Sequence, residues 1–291
     1  MNIRKKIKKD GLYSLKRKWA FPIFMLLLFV AIYLVFAYAL NLLNFLLLEF
    51  KIFNYNVVIF NTKLDLNEVI FTISSYVLNF LSLLIFLPLS VGMTRWYVKN
   101  IKDENPQNKD FYYYFNKKLF FKTFAMKFLI RIKIILWSVL FTFPGIFCLS
   151  LSNQCLYFDQ TITNTASKKI NNIITSMQIP LIIIGIILLV LGIVAVLLVS
   201  YRYFFCDYLL IAYPDLKISK INQASIYYAK NNYMNLFKFQ ISFLPLLLLS
   251  LLVIPALFVF PYFQSSITIY AQYIIFLKDE NYKKNIMIKS N

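Results

Sequence analysis

LFKFQISFLPLLLLSLLVIPALFVFPYFQSSITIYAQYIIFL, residues 236–277, is 42 residues long and carries one charge, Lys238. A helix rises about 1.5 Å per residue and the hydrocarbon core of a bilayer is about 30 Å thick, so one crossing needs roughly 20 residues. The stretch therefore reads as two crossings. Pro255 removes a backbone donor and disfavours helix at the residue before it, which predicts a turn near Leu252–Pro255. The two spans are then about 234–252 and 256–277, with Pro261 in the first turns of the second, where a kink is tolerable.

Four more apolar runs lie upstream, at about 19–48, 69–93, 124–151 and 180–201. The chain is 60% hydrophobic and 19% aromatic, with a mean hydropathy of +0.66. Soluble domains are roughly 45–50% apolar, so this chain has too little polar surface to cover a water-exposed core. The expected fold is all-α: a single membrane domain of six transmembrane helices with short interfacial helices. Residues 1–18 form a basic cytoplasmic segment ahead of the first span. KRKWAFPIFMLLLFV with Ala37-Tyr38-Ala39 superficially resembles a signal peptide, but apolar residues continue to Leu48, so a retained span is expected. No fixed-period repeat is visible.

Charge tests this layout independently. With the N-terminus, residues 94–133, residues 202–238 and the C-terminus on one side, that side holds 27 of the 31 Lys and Arg. The opposite side holds Lys51, Lys63, Lys168 and Lys169, balanced by Glu49, Asp65, Glu68 and Asp159. Loops next to spans carry excess Lys and Arg on the cytoplasmic face. Both termini are thus expected in the cytoplasm of a bacterial, multi-pass protein of the cytoplasmic membrane. A pI near 9.7 also raises nucleic acid, but the basic residues are spread over span-flanking loops. Anionic lipid headgroups on the cytoplasmic side are the expected partners, at roughly 1 kcal/mol per Lys or Arg near the surface. Ile3, Ile7, Leu12, Leu15 and Trp19 approximate one apolar face of the N-terminal segment, and Gly11 weakens the middle of such a helix.

Several chemistries are missing. There is no His, which removes histidine triads, HExxH sites and histidine proton relays. Cys148, Cys155 and Cys206 have no C-x-x-C spacing. On one helix, Cys148 and Cys155 would stand about 10.5 Å apart along the axis, too far for a disulfide. No nucleotide motif is present, and acids within spans are nearly absent. No cofactor, no metal and no enzymatic activity are expected.

In SYRYFFCDYLLIAYPD (200–215), Arg202 and Asp207 follow a run that already crosses the core. Five residues separate them, about 140° around a helix, so they do not face each other. Among tyrosines typical of the membrane boundary, Arg202 reads as a snorkelling anchor. Asp207 is expected to pair with a base such as Arg95 or Arg131. Two polar stripes could line a cavity or bind neighbouring helices: Ser75, Asn79 and Ser82 on the second span, and Ser265, Thr268 and Gln272, beside Gln264, on the sixth. Polar groups in lipid are costly, so both stripes should face protein or water. Gly185 and Gly192 mark close packing of the fourth span.

DFYYYFNKKLFFKTFAMKFLIRIKIILWSVLFTFPGIF (110–147), ending in Pro144-Gly145-Ile146, is similar to a segment of the bacterial membrane family called domain of unknown function 975. YRYFFCDYLLIAYPDLKISKINQASIYYAKNNYMNLFKFQISF (201–243) resembles its second hallmark, with Pro214, Ala224, Ser225, Leu236, Phe237, Ser242 and Phe243 in place. PLSVGMTRWY (88–97) and Pro261-Tyr262 match shorter marks. Ala229 and Asn231 stand where the family pattern leads to Met and Gly. The resemblance implies six spans and lends no established activity. A fainter likeness, to the membrane portion of some glycerophosphodiester phosphodiesterases, hints at lipid-related work. The expected function is non-catalytic binding of lipid or an amphipathic peptide, in an accessory or immunity-type role with a peptide or protein partner. The alternative is a small-solute transporter or permease subunit, against which the lack of mid-span charge counts.

Overall fold

The computed structural model describes residues 3–49, 56–59, 62–161 and 168–289; the side chains of 44, 47–68, 154–177 and 278–289 lie outside the description. Cys155 and the eight charged residues expected on the outer face fall there. Eleven α-helices are described: α1 (Ile3–Ser14), α2 (Ala20–Glu49), α3 (Leu66–Ile101), α4 (Lys109–Tyr112), α5 (Lys117–Thr161), α6 (Lys168–Ser200), α7 (Cys206–Ala212), α8 (Ile218–Ala229), α9 (Tyr233–Ile241), α10 (Leu244–Leu249) and α11 (Val253–Lys289). The fold is helical apart from one short hairpin that the sequence reading did not anticipate. Strands β1 (Asn56–Ile59) and β2 (Thr62–Asp65) pair antiparallel between α2 and α3, Asn56 opposite Asp65 and Ile59 opposite Thr62. The run Val57-Val58-Ile59 is β-branched, which favours a pleated strand over a helix.

Five described helices are long and apolar enough to cross a membrane: Ala20–Leu43, Val69–Ile101, Lys117–Asn153, Gln178–Ala212 and Val253–Leu277. The chain is therefore a multi-pass helical membrane protein. The fifth expected span, 234–252, is not one helix. It breaks at Ser242-Phe243 into α9 and α10, neither of crossing length. Pro245 opens α10 at a position where its missing N–H is not needed. Lys8 fills the gap at the break, donating to the Ser242 carbonyl at 2.7 Å while its ammonium lies 4.2 Å from the centre of the Phe243 ring. Burial there lowers the pKa of Lys8 below the ordinary lysine value.

The chain packs as two compact units. The first comprises Met1–Phe124, Asp207–Leu216 and Phe237–Asn291. Its most extensive helix pairing is α1 along α11. A Cβ on Gly11 would stand 2.3 Å from Ser266 Oγ and 3.0 Å from its Cα, so the glycine is a contact surface. Consequently α1 buries Ile7 and Gly11, followed by Leu15, and leaves Ile3 and Leu12 exposed. That corrects the apolar face expected from the sequence. Leu15 joins Trp96 and Tyr97 of α3 in a core to which Trp19, Phe21 and Tyr262 add. A second core of Met25, Leu89 and Phe111 seats α4 on α3. Gly92 permits this seating, since its Cβ would fall 2.0 Å from the Phe111 carbonyl oxygen.

The second unit comprises Ala125–Cys206 and Lys217–Leu236. Here α5 and α6 run antiparallel through glycine notches: Gly145 meets the Leu189 backbone, Gly185 meets Leu149 and Gly192 meets the Phe141 carbonyl. The turn after α8 carries Asn231 at φ 67°. Asparagine is among the few residues that visit the left-handed region readily, so the bend forms without a glycine.

Two sets of substitutions test these contacts by thermal melting in detergent. Gly92→Ala forces backbone against backbone and should cost roughly 1–3 kcal/mol, whereas Gly185→Ala meets only the side chains of Leu149 and Cys148 and should cost less. Asn231→Gly should match or exceed the parent melting temperature, and Asn231→Val should lower it, because a β-branched residue is strained at positive φ.

Candidate functional site

The two polar stripes part company. On α3, Ser75 Oγ donates to the Thr72 carbonyl and Ser82 Oγ to the Asn79 carbonyl, both at 2.7 Å. Asn79 is exposed and Ser75 and Ser82 are half-buried, so the two serines of this stripe are occupied with their own helix. On α11, Ser265 is fully buried. Its hydroxyl donates to the Gly11 carbonyl at 3.1 Å and lies 2.7 Å from Ser14 Oγ. Thr268 donates to the Gln264 carbonyl at 2.8 Å and faces the Tyr208 hydroxyl at 3.5 Å, and Gln264 is half-buried. These contacts dock helices. Gln272 differs: its amide nitrogen is buried without a hydrogen-bond partner and its side chain lines a cavity.

That cavity, of about 490 Å³, lies in the first unit. Arg95, Lys99 and Lys102 edge it with Glu104; Val98, Ile211, Ile275 and Phe276 are among its apolar lining, and Tyr208 and Tyr213 add hydroxyls. Three cations beside an apolar wall suit a molecule with an acidic head and a greasy tail. Lys102 reaches Glu104 only at 4.0 Å, with both side chains half exposed.

Arg95 and Lys99 are positioned by Asp110, a carboxylate that sequence reasoning passes over. Lys99 Nζ stands 2.7 Å and Arg95 Nε 3.3 Å from Asp110 Oδ1, and the Gln107 backbone N–H donates to Oδ2 at 2.9 Å. The Arg95 guanidinium also sits 3.7 Å from the centre of the Tyr113 ring. The signal available in the sequence is spacing: Arg95 and Lys99 are i and i+4 on one helix, followed by an acid in the tyrosine-rich DFYYYF. Burial opposes the charged form of Asp110, but Lys99, the Gln107 N–H and Arg95 outweigh it and hold the carboxyl below its ordinary range. Burial also pushes the Tyr114 hydroxyl up to about 12, against the pull of Arg95. Asp207, in the first turn of α7, adds its negative field at Tyr114.

In the second unit, Arg202 lies in the single turn after α6, and its carbonyl accepts from Ser225 Oγ at 2.8 Å. With Lys230 it edges an open, shallow recess of about 590 Å³. Arg131 is exposed, and Lys133 lies 5.6 Å from the Tyr203 ring centre. Cys206 is buried and contacts Asn222 Oδ1 at 3.4 Å. Among the described residues no cluster of His, Cys, Asp and Glu could hold a metal.

One family model matches residues 1–278, and its description is "Protein of unknown function (DUF975)". Neither a curated protein nor a solved structure matches the chain.

Because the folded-state pKa of Asp110 is depressed, its contribution to stability is full above the ordinary aspartate range and is lost as pH falls through the folded value. Melting temperature should therefore drop on acidification below about pH 4. Asp110→Asn should lower stability at neutral pH by about 2 kcal/mol or more, by leaving two cations without their counter-charge, and should flatten the acid limb. Unchanged melting curves would show that the pair carries no stability.

Proposed function

The chain belongs to the DUF975 family, and we propose that this member is a non-catalytic protein of the bacterial cytoplasmic membrane that binds an anionic lipid at its cytoplasmic boundary. The observation that carries the reading is the amphipathic cavity edged by Arg95, Lys99 and Lys102. Its volume falls within the range of roughly 300–1,000 Å³ usual for small-molecule sites. The unpaired Gln272 amide donor and the cations both favour an acceptor-rich head, and the apolar wall favours a chain. A buried donor left without a partner costs about 1–3 kcal/mol, which a headgroup oxygen would recover. An amphipathic peptide shares this chemistry, but a single 490 Å³ recess suits one head and the start of one tail better than a helix.

The topology follows from charge. Lys and Arg concentrate on loops that flank one end of the spans, which supports a cytoplasmic N-terminus and C-terminus. An even number of crossings then requires the broken pair α9–α10 to match α11: either both cross or neither does.

Native mass spectrometry of protein released gently from membranes rich in phosphatidylglycerol tests the site. The parent should retain anionic lipid, and a Lys102→Gln/Gln272→Leu double variant should retain it several-fold less at an unchanged melting temperature. Equal retention, or a bound peptide of defined mass in place of lipid, would contradict the reading.

A further inference from the structure

The segment 237–277 is apolar enough for two crossings, yet its packing places little of it in lipid. Tyr262 of α11 packs on the core of Leu15, Trp96 and Tyr97, and the Trp19 ring lies 5.7 Å from that of Phe258. From Tyr262 back to the start of α11 at Val253 is nine residues, or about 14 Å of helix. From Trp96 outward to Val69 on α3 is 27 residues, or about 40 Å. The turn between α10 and α11 therefore stops about a third of the way along the helix beside it, or about half the depth of a ~30 Å hydrocarbon core. Tilt of α11 would only make it shallower.

The opposite half of α11 is fixed on the cytoplasmic side by what lies against it. α1 bears Arg4, Lys5, Lys6, Lys8, Lys9 and Asp10, a helix that cannot enter hydrocarbon. It docks on α11 at Ser265 and Ser266. Of the most apolar window of α11, 39% is buried inside the protein, against 11% or less for the other four long helices. Ile267, Tyr270, Ala271 and Ile274 are thus apolar because they lie in a protein core, while Phe276 and Leu277 near the other end of this stretch stay exposed.

That turn suits lipid. Leu251, Val253 and Ile254 are 83%, 79% and 73% exposed, beside exposed Leu248, Leu249 and Leu252. Much of its polar backbone is bonded locally, the Val253 and Ile254 N–H groups at the start of α11 excepted. Ser250 N–H donates to the Leu246 and Leu247 carbonyls, Leu251 N–H to Leu248, Leu252 N–H to Leu249 and Ala256 N–H to Leu252, all within 3.2 Å. The Ser250 hydroxyl returns to Leu247 at 2.6 Å. Pro255 has no N–H to leave exposed. An unpaired backbone group in hydrocarbon costs several kcal/mol, so these bonds lower the cost of placing the turn there, and the Val253 and Ile254 N–H groups set the cost that remains.

We propose that residues 237–277 form a re-entrant hairpin whose tip, Leu248–Ile254, inserts into the acyl chains of the cytoplasmic leaflet and returns without crossing. The chain then crosses the bilayer four times, through α2, α3, α5 and α6. The even count keeps both termini on the basic side. The hairpin is independent of the headgroup cavity and does not require it to bind lipid.

Site-directed spin labelling tests it. Leu251→Cys and, separately, Val253→Cys are made in the full chain with Cys148, Cys155 and Cys206 replaced by alanine or serine, and Lys63→Cys serves as the outer-side control. In phosphatidylglycerol-containing nanodiscs, both tip labels should show high collision with oxygen and low collision with a water-soluble nickel chelate, near the pattern of mid-bilayer sites. Lys63→Cys should show the reverse. In intact cells an impermeant maleimide should modify Lys63→Cys and spare both tip sites. Nickel accessibility at the tip equal to the control, with modification from outside, would establish two full crossings. Nickel accessibility without outside modification would place the tip in the cytoplasm and equally overturn the hairpin.

Discussion

The contact on which most of the first unit depends is the seating of α1 along α11 at Gly11. A side chain there would collide with Ser266, and the space gained brings the Ser14 and Ser265 hydroxyls to a shared carbonyl. The same seating places Lys8 over the break between α9 and α10, Leu15 into the aromatic core of α3, and the end of α1 under Asn100, whose amide donates to the Ser14 carbonyl at 2.9 Å. On the proposed hairpin, a helix carrying five cations and one acid sets the depth at which α11 lies, so that electrostatic cost and not hydropathy decides where the last apolar stretch ends up.

Hydropathy alone locates α2, α3, α5 and α6, because each faces lipid and its apolar residues need no partner to explain them. Of the two spans it reads in residues 236–277, Val253–Leu277 is long and apolar enough to cross and the pair α9–α10 is not one helix; hydropathy cannot rank them further, because a helix buried in protein and a helix buried in lipid have the same composition. Gly11 misleads in a similar way. Helix propensity counts a glycine as a weakness, while its value here is the absence of a side chain at one contact.

The candidate site is legible in part. Arg95 and Gln272 stand out in the sequence, but for other reasons: Arg95 as a partner for Asp207, Gln272 as one of a stripe. Their convergence on one cavity with Lys99 and Lys102 depends on how α3 and α11 pack, which spacing along one helix does not encode. Ser75, Asn79 and Ser82 have nearly the same periodicity as Ser265, Thr268 and Gln272, and only the structure separates them. Serine in a helix can return its hydroxyl to its own backbone, so a polar stripe needs no external partner. Asp110 stays hidden because its two bases lie on another helix, 15 and 11 residues earlier in the chain.

Hydrogen–deuterium exchange in nanodiscs tests the α1–α11 seating most directly. Slow exchange is predicted over Ile7–Ser14 and over Ser265–Gln272 in the parent, with loss of protection in both segments together when Gly11→Val separates the helices. Fast exchange of α1 in the parent, with α11 protected equally in parent and variant, would mean that lipid and not α1 covers the helix.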